Sequence, residues 1–413
     1  MQKYVLVILA SLLVLGLVGC RPDQQMAPSV TESVYDNYAG SETCGSCHPS
    51  IYNKFIQSGH PYKLTKVMNN LKPLDFPFTT LPDIPTPLGL KDGDNTLGPP
   101  ATYGDVSYVI GGFNWKARFV DTNGYIITGS DVQWNFQTGA FSGYHDNEVD
   151  KPYDCGKCHT TGWIKFEDGG IRKDNLPGMA GNFFKGGIHC EECHGEGAAH
   201  VNSHGDPQYI SIDRTSAMCG RCHTRDSQNR IAASGGLIKH HEQYDELLGL
   251  NPDTMTAMGK HLQAGVGCNT CHDPHASVVH QKETNTTPGL IKWCTDCHAD
   301  KAVAATNAHS QQNLDSKGLL STPSGKKIVN CMACHMPKMS KSAVGLAAVG
   351  TGPPVGDINS HIFKIRLDND KQFTDDGNFA YPWLTPQYAC KQCHNGEHFF
   401  ELPNLVIYKV HTN

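Results

Sequence analysis

The residues best placed to do chemistry are cysteines, and they recur in one unit. Of 17 cysteines, all but Cys20 fall into eight Cys-x-x-Cys-His strings. These are Cys44/Cys47/His48, Cys155/Cys158/His159, Cys190/Cys193/His194 and Cys219/Cys222/His223, followed by Cys268/Cys271/His272, Cys294/Cys297/His298, Cys331/Cys334/His335 and Cys390/Cys393/His394. Random placement of the same residues would give roughly 0.04 such strings. Two cysteines three apart can form thioethers to the two vinyl groups of one haem, and the next histidine is then held beneath the iron as its proximal ligand. Structural zinc wants four ligands from paired knuckles and does not require a histidine directly after the second cysteine. Disulfide staples do not require it either. The spacing therefore predicts eight haem c groups, with the sixteen cysteines as thioether donors and the eight histidines as proximal ligands.

Of 22 histidines, eight are proximal and 22 − 8 = 14 are left. Eight irons need at most eight distal ligands, so bis-histidine coordination is the expectation. Met332 and Met336 lie beside a motif that already has its own histidine. His60 closes a Ser-Gly-His turn after the first motif, and His189 directly precedes Cys190. His200 follows a Gly-Glu-Gly-Ala-Ala stretch whose small residues permit close approach. His261 and His275 bracket the fifth motif, His309 and His361 flank the seventh, and one of His240 and His241 serves, with His241 preferred. His145, His204, His280, His398 and His411 are weaker candidates.

The elements that must position these groups are short. The hydrophobic fraction of 38% is low for a protein core of this length, while 42 Gly and 24 Pro disfavour long helices. Flat apolar cofactors would fill the deficit. The fold class expected is a multihaem cytochrome c: mostly irregular chain with short helices wrapped around a haem row, plus a small antiparallel β meander over about residues 106–141. Its strands are read at 108–110, 115–120, 125–127 and 132–136, between Gly- and Asp-rich turns. Leu71 to Pro100 reads as irregular loop, Glu242 to Leu250 as a short helix, and Met339 to Val355 as a surface connection. The meander reads as a cover for the first haems or, second, as a docking surface.

Lys3, the apolar run from Tyr4 and the small residues before Cys20 read as a secretory signal, residues 1–19. Leu-Val-Gly-Cys also resembles a bacterial lipobox, which makes Cys20 the lipidation site and residues 20–40 a lipid-anchored linker. The first haem and the β insertion occupy 41–150, and a seven-haem region occupies 151–413. A net charge of −6 with no basic run argues against nucleic acid as a partner.

With these residues in view, the chain resembles the multihaem c-type cytochromes of metal-reducing bacteria, particularly their outer-membrane lipoproteins. The resemblance is carried by Tyr108–Phe119, Cys155–Gly162, Gly187–His200, Cys331–Lys338 and Asp357–Ile365. It implies that His200, His309 and His361 are distal ligands. It also implies electron transfer at the cell surface, between periplasmic or outer-membrane cytochromes (a porin-type conduit included) and an extracellular acceptor. Two alternatives stand beside it. One is an octahaem oxidoreductase acting on a small nitrogen or sulfur substrate at one open haem. The other is a subunit of a haem filament, hence an oligomer, in which His411 or His60 reaches a neighbouring copy. No residue is read as catalytic, and an electron carrier is preferred to an enzyme.

Overall fold

A Cys-x-x-Cys pair presents both sulfurs to one side only if the chain makes a helical turn, because positions i and i+3 share a helix face. The computed structural model describes residues 33–83, 102–225, 230–301 and 329–396, and it has such turns at the motifs. They include Ser41–Cys47, Gly156–His159, Cys190–His194, Ser216–Gly220, Cys268–Cys271, Cys294–Cys297 and Val329–His335, while the helix Pro386–Ala389 ends just before the eighth motif. Helices among the described residues do not exceed seven residues. None is long and apolar enough to cross a membrane. The expected helix over 242–250 is present as Gln243–Leu248, ended by Gly249 in the left-handed region at φ 65°.

The meander is part of a larger antiparallel sheet. Its strands are β1 (Leu64–Lys66), β2 (Val106–Gly111), β3 (Lys116–Asp121), β4 (Tyr125–Ile126), β5 (Gly129–Asn135), β6 (Ala140–Tyr144) and β7 (Lys151–Pro152). The order runs β1-β2-β3-β4-β7, with β5 pairing both β3 and β6. Leu64 stands opposite Ile110, Val109 opposite Phe119 and Ala117 opposite Trp134. The two-residue period sends Val109, Ala117, Phe119 and Val132 to one face, onto Phe76, Leu81 and Phe113. Tyr108, Ile110, Val120 and Ile126 go to the other face, onto Tyr153, Met179 and Phe183. A register shift between Val106 and Tyr108 explains why Val106 joins the first group out of step. Apolar groups thus pack on both sides of β2 and β3, while β6 stays largely at the surface.

A second, four-stranded sheet joins distant segments in the order Ser340–Lys341, Leu237–Lys239, Ile231–Ser234, Phe379–Ala380. Its core holds Ile231, Ile238, Met339, Ile362, Leu384 and Tyr388. The stretch 339–355 is thus not wholly a surface connection. Met339 is fully buried and Ser340–Lys341 pair parallel to 237–239, a two-residue strand too short to leave a period in the sequence. Asp357 then caps the turn that follows, its carboxylate accepting the amides of Ser342, Ala343 and Val344 at 2.6, 2.7 and 2.9 Å. Of the loop expected over 71–100, the part up to residue 83 is irregular; 84–101 lie outside the described residues, as do Cys20, His309, His398 and His411.

The first motif is tied to the third by a carboxylate. Glu191, buried, accepts the amides of Ala39 and Gly197 through Oε1 at 2.7 and 2.9 Å, and that of Gly40 through Oε2 at 2.9 Å. Each donor left without an acceptor costs about 1–3 kcal/mol. Glu191→Ala should therefore destabilise the holoprotein by at least about 3 kcal/mol, read as a lowered denaturation midpoint with haem content unchanged.

Candidate haem centres

An imidazole centroid sits roughly 1.1–1.2 Å behind its ligating nitrogen, and metal–imidazole bonds are near ~2.0–2.1 Å, so two axial histidines on one iron face each other with centroids about 6.2–6.5 Å apart. That spacing recurs. His48 faces His200 at 6.4 Å, His194 faces His275 at 6.2 Å, His298 faces His261 at 6.1 Å and His272 faces His361 at 6.2 Å. Across from His223 stand two rings, His60 at 6.5 Å and His241 at 5.8 Å. In each pair a motif histidine meets one from outside the motifs. The fit to a six-coordinate iron is geometric and does not depend on the motif itself.

Burial helps keep several of these rings neutral, the form a metal ligand needs. It pushes His60 and His361 each down to about 3, with neighbouring Lys63 adding to the effect at His60 and His272 at His361. The outer nitrogens are oriented by acceptors, as metal-bound histidines require. His194 Nδ1 meets the Ser211 carbonyl at 2.7 Å, His200 Nδ1 that of Asp206 at 2.9 Å and His335 Nδ1 that of Phe363 at 2.8 Å.

His189 departs from expectation. Its Nδ1 meets Ser41 Oγ at 2.9 Å and its Nε2 meets the Gly186 carbonyl at 2.8 Å, with the ring edge against Phe55. Both nitrogens are engaged, so it locks the third motif to the first helix and has none free for iron. Of the weaker candidates, His280 bonds the Phe113 carbonyl at 3.2 Å and packs on Phe78 and Phe113, while His145 pairs with Glu148.

His394 departs in another way. The helix Pro386–Ala389 stops short of the eighth motif, so Cys390, Cys393 and His394 lie on the turn that follows it. The amides of Cys393 and His394 both donate to the Cys390 carbonyl, at 3.1 and 3.0 Å, which keeps the two sulfurs on one side without a full helix. The expectation of His394 as a proximal ligand rests on its motif. The chain beyond residue 396, with His398 and His411, lies outside the described residues, as does His309 between the sixth and seventh motifs.

The second motif is built differently. Gly156 lies so close beneath Trp163 that a Cβ there would sit 1.9 Å from the indole, which makes glycine obligatory between the two cysteines. His159 Nδ1 meets the Lys63 carbonyl at 3.0 Å, fixing the ring with Nε2 forward, and Lys63 leads into β1. Burial, then Lys63, lower the pKa of His159 to about 4. Among the described residues no histidine ring stands across from His159 at the axial spacing. A cluster of cations is gathered there instead. Lys116 and Arg118, from β3, both act on the His159 ring. Arg225 acts on Cys155 and Cys158, and its Nη1 donates to His240 Nε2 at 3.1 Å.

Among the described residues no carboxylate salt-bridges Lys116 or Arg118. Lys116 Nζ donates to the Ser342 carbonyl; Arg118 Nε donates to Gln133 at 2.8 Å and its guanidinium lies 3.5 Å over the Tyr144 ring. Burial holds Lys116 well below the ordinary lysine range and lowers Arg118. It also drives His240 down to about 2, with Lys116, Arg225 and Arg118 contributing. The sequence reading missed Lys116 and Arg118. The Trp-Lys-Ala-Arg string was visible, but only the register of β3 carries its alternate residues toward the motif.

The motifs also touch one another. Thiols meet between Cys44 and Cys190, Cys158 and Cys222, Cys219 and Cys268, and Cys294 and Cys331. Cys193 lies within electrostatic range of Cys219, Cys271 of Cys294 and Cys297, and Cys334 of Cys390 and Cys393. In motif numbers the contacts run 1–3–4–5–6–7–8, with motif 2 joined at motif 4.

Short helical turns that each present a Cys-x-x-Cys-His unit, with imidazoles paired across an iron-sized gap, define a multihaem c-type cytochrome. Residues 134–195 match the family model "Cytochrome c554 and c-prime", and residues 261–303 match "Doubled CXXCH motif". The chain is related to the dissimilatory sulfite reductase MccA of Wolinella succinogenes, being 28% identical over 214 residues, 44% of this chain but only 27% of that protein's length. The solved structure of the same octahaem enzyme, form II, superposes with a TM-score of 0.54 at 18% identity, covering 91% of this chain and 69% of that one. The outer cell wall cytochrome OcwA gives a TM-score of 0.46 at 19% identity, over 87% and 84% of the two chains.

His200→Ala should convert one low-spin centre to a high-spin one at unchanged haem content, and His189→Ala should convert none. Electron paramagnetic resonance of the oxidised holoprotein reads both.

Proposed function

We propose that this protein is an eight-haem reductase in which the centre of the second motif is open to a small oxoanion of nitrogen or sulfur and the other seven deliver electrons to it. The carrying observation is the surroundings of His159. The place where five other motif histidines face an imidazole is here surrounded by Lys116, Arg118, Arg225 and His240. An iron lacking a sixth protein ligand can bind substrate, whereas bis-histidine iron exchanges electrons and does little else. Partly buried cations without a carboxylate partner favour an anion beside them. The relative named as a sulfite reductase supports the same class of substrate.

In this reading His200, His275, His261 and His361 are the distal ligands of motifs 1, 3, 6 and 5, and His60 or His241 serves motif 4. His335 and His394 are the proximal ligands of motifs 7 and 8. Lys116 and Arg118 would hold the oxoanion at the centre of the second motif. The chain is exported, tethered through Cys20, and receives electrons from another redox protein. A second reading, a conduit to an extracellular acceptor or a further cytochrome, is favoured by the unbroken run of motif contacts from motif 1 to motif 8.

Removing one donor that stabilises charge at a reacting centre costs about 10²–10³ in rate. Lys116→Ala and Arg118→Ala should each lower kcat/KM for sulfite, nitrite or hydroxylamine reduction by about 100-fold, leaving electron uptake by the low-spin centres unchanged. The holoprotein should show one high-spin centre per chain that shifts on adding these substrates. All-low-spin spectra with no turnover would reject the reductase in favour of the conduit.

A further inference from the structure

Of the facing imidazoles, His275 has an outer nitrogen within hydrogen-bond distance of a charged group, whereas His361 Nδ1 stands 3.9 Å from Glu246 Oε2. The His275 Nδ1 lies 3.0 Å from Asp273 Oδ1, which also accepts the His275 backbone amide at 3.0 Å. The outer nitrogens of His194, His200, His159 and His335 meet neutral backbone carbonyls instead, and that of His223 the side-chain amide of Gln243 at 3.4 Å. Asp273 is held from its far side as well. Lys54 Nζ donates to Oδ2 at 3.0 Å, with 28% and 15% of the two side chains exposed. Lys54 belongs to the helix Pro49–Phe55 that follows the first motif, so the ion pair crosses from motif 1 to the segment His272-Asp273-Pro274-His275.

A carboxylate that accepts from the outer N–H of an axial imidazole makes its inner nitrogen a stronger donor, and a stronger donor stabilises ferric over ferrous iron. We infer that Asp273 sets the potential of the motif 3 centre, holding it low through His275, and that Lys54 tempers this by sharing the carboxylate's charge. The inference rests on the reading of His194 and His275 as an axial pair. Asp273 is a positioning and tuning residue; it touches the ligand and not the iron. Because motif 3 stands between motifs 1 and 4 in the run of contacts, its potential governs how readily electrons held at motif 1 move inward.

The two side chains carry opposite charge, so their removal has opposite expected signs. In potentiometric titrations of the holoprotein followed by electron paramagnetic resonance, Asp273→Asn keeps an acceptor for the His275 ring but removes the charge. It should raise the midpoint of one low-spin centre and leave the others in place. Lys54→Met should lower the midpoint of that same centre. His275→Ala identifies the centre, by turning it high-spin. Unchanged midpoints in both variants would overturn the inference, as would shifts of both in one direction, the pattern of a merely loosened fold. If His275→Ala leaves the low-spin count intact, the axial assignment itself fails, whatever Asp273→Asn does.

Discussion

Two imidazoles that bind one iron from opposite sides have no freedom in their separation. The gap of about 6.3 Å is set by bond lengths, and the polypeptide must deliver one ring from a motif and the other from elsewhere. His48 and His200 are separated by two intervening motifs, and His272 and His361 likewise by two. Each such pair therefore ties together segments far apart in the chain. Helices stop after a turn or two because the chain must leave each motif and travel to the next partner. The apolar cores stay small and local for the same reason, confined to the faces of two sheets. A cofactor bound by such residues only in the native state adds its binding free energy to folding.

The large sheet shows how the remaining polypeptide is used. Its central strands β2 and β3 pack apolar groups on both faces, yet β3 carries Lys116 and Arg118 among hydrophobic neighbours, and the Lys63 carbonyl just before β1 orients His159. Interior cations are costly unless paired, and these have only neutral acceptors and an aromatic ring among the described residues. A wall built solely to cover cofactors would place apolar side chains at those positions. The departure from a uniformly apolar strand is concentrated next to His159, which among the described residues has no imidazole across from it at the axial spacing.

Much of this was legible in the residues. The motifs mark the expected thioether cysteines and proximal histidines, because that chemistry demands fixed local spacing. The irregular fold followed from thin hydrophobic content and abundant Gly and Pro. His60, His200, His241, His261, His275 and His361 were chosen for their positions near motifs or in flexible polar stretches, and each stands across from a motif ring. Which ring each faces was not legible, because the pairing is made through tertiary contacts. His189 looked suitable by adjacency to Cys190, but Ser41 and Gly186, distant or turned toward it only in the fold, occupy its nitrogens. The two-residue strand Ser340–Lys341 and the electrostatic role of β3 escaped for a related reason: neither leaves a local pattern, and both depend on register against partners far along the chain.

The position of the second motif in the network bears on what an open centre there could do. Motif 4 is the junction: Cys222 touches Cys158 of motif 2, Cys219 touches Cys268 of motif 5, and Cys193 of motif 3 lies nearby. Among the described residues motif 2 therefore joins the run of cysteine contacts at motif 4 alone. If it were in the middle of the run, every electron passing between the ends would cross an iron whose coordination changes with substrate, and transfer would stall whenever that iron was ligated. Set off a junction, an open iron at motif 2 would be filled through motif 4 from centres on both sides of it, while the run from motif 1 to motif 8 would stay continuous without it. Reduction of an oxoanion consumes several electrons in succession, and a branch fed through such a junction would supply them without requiring a fresh encounter with the donor for each one.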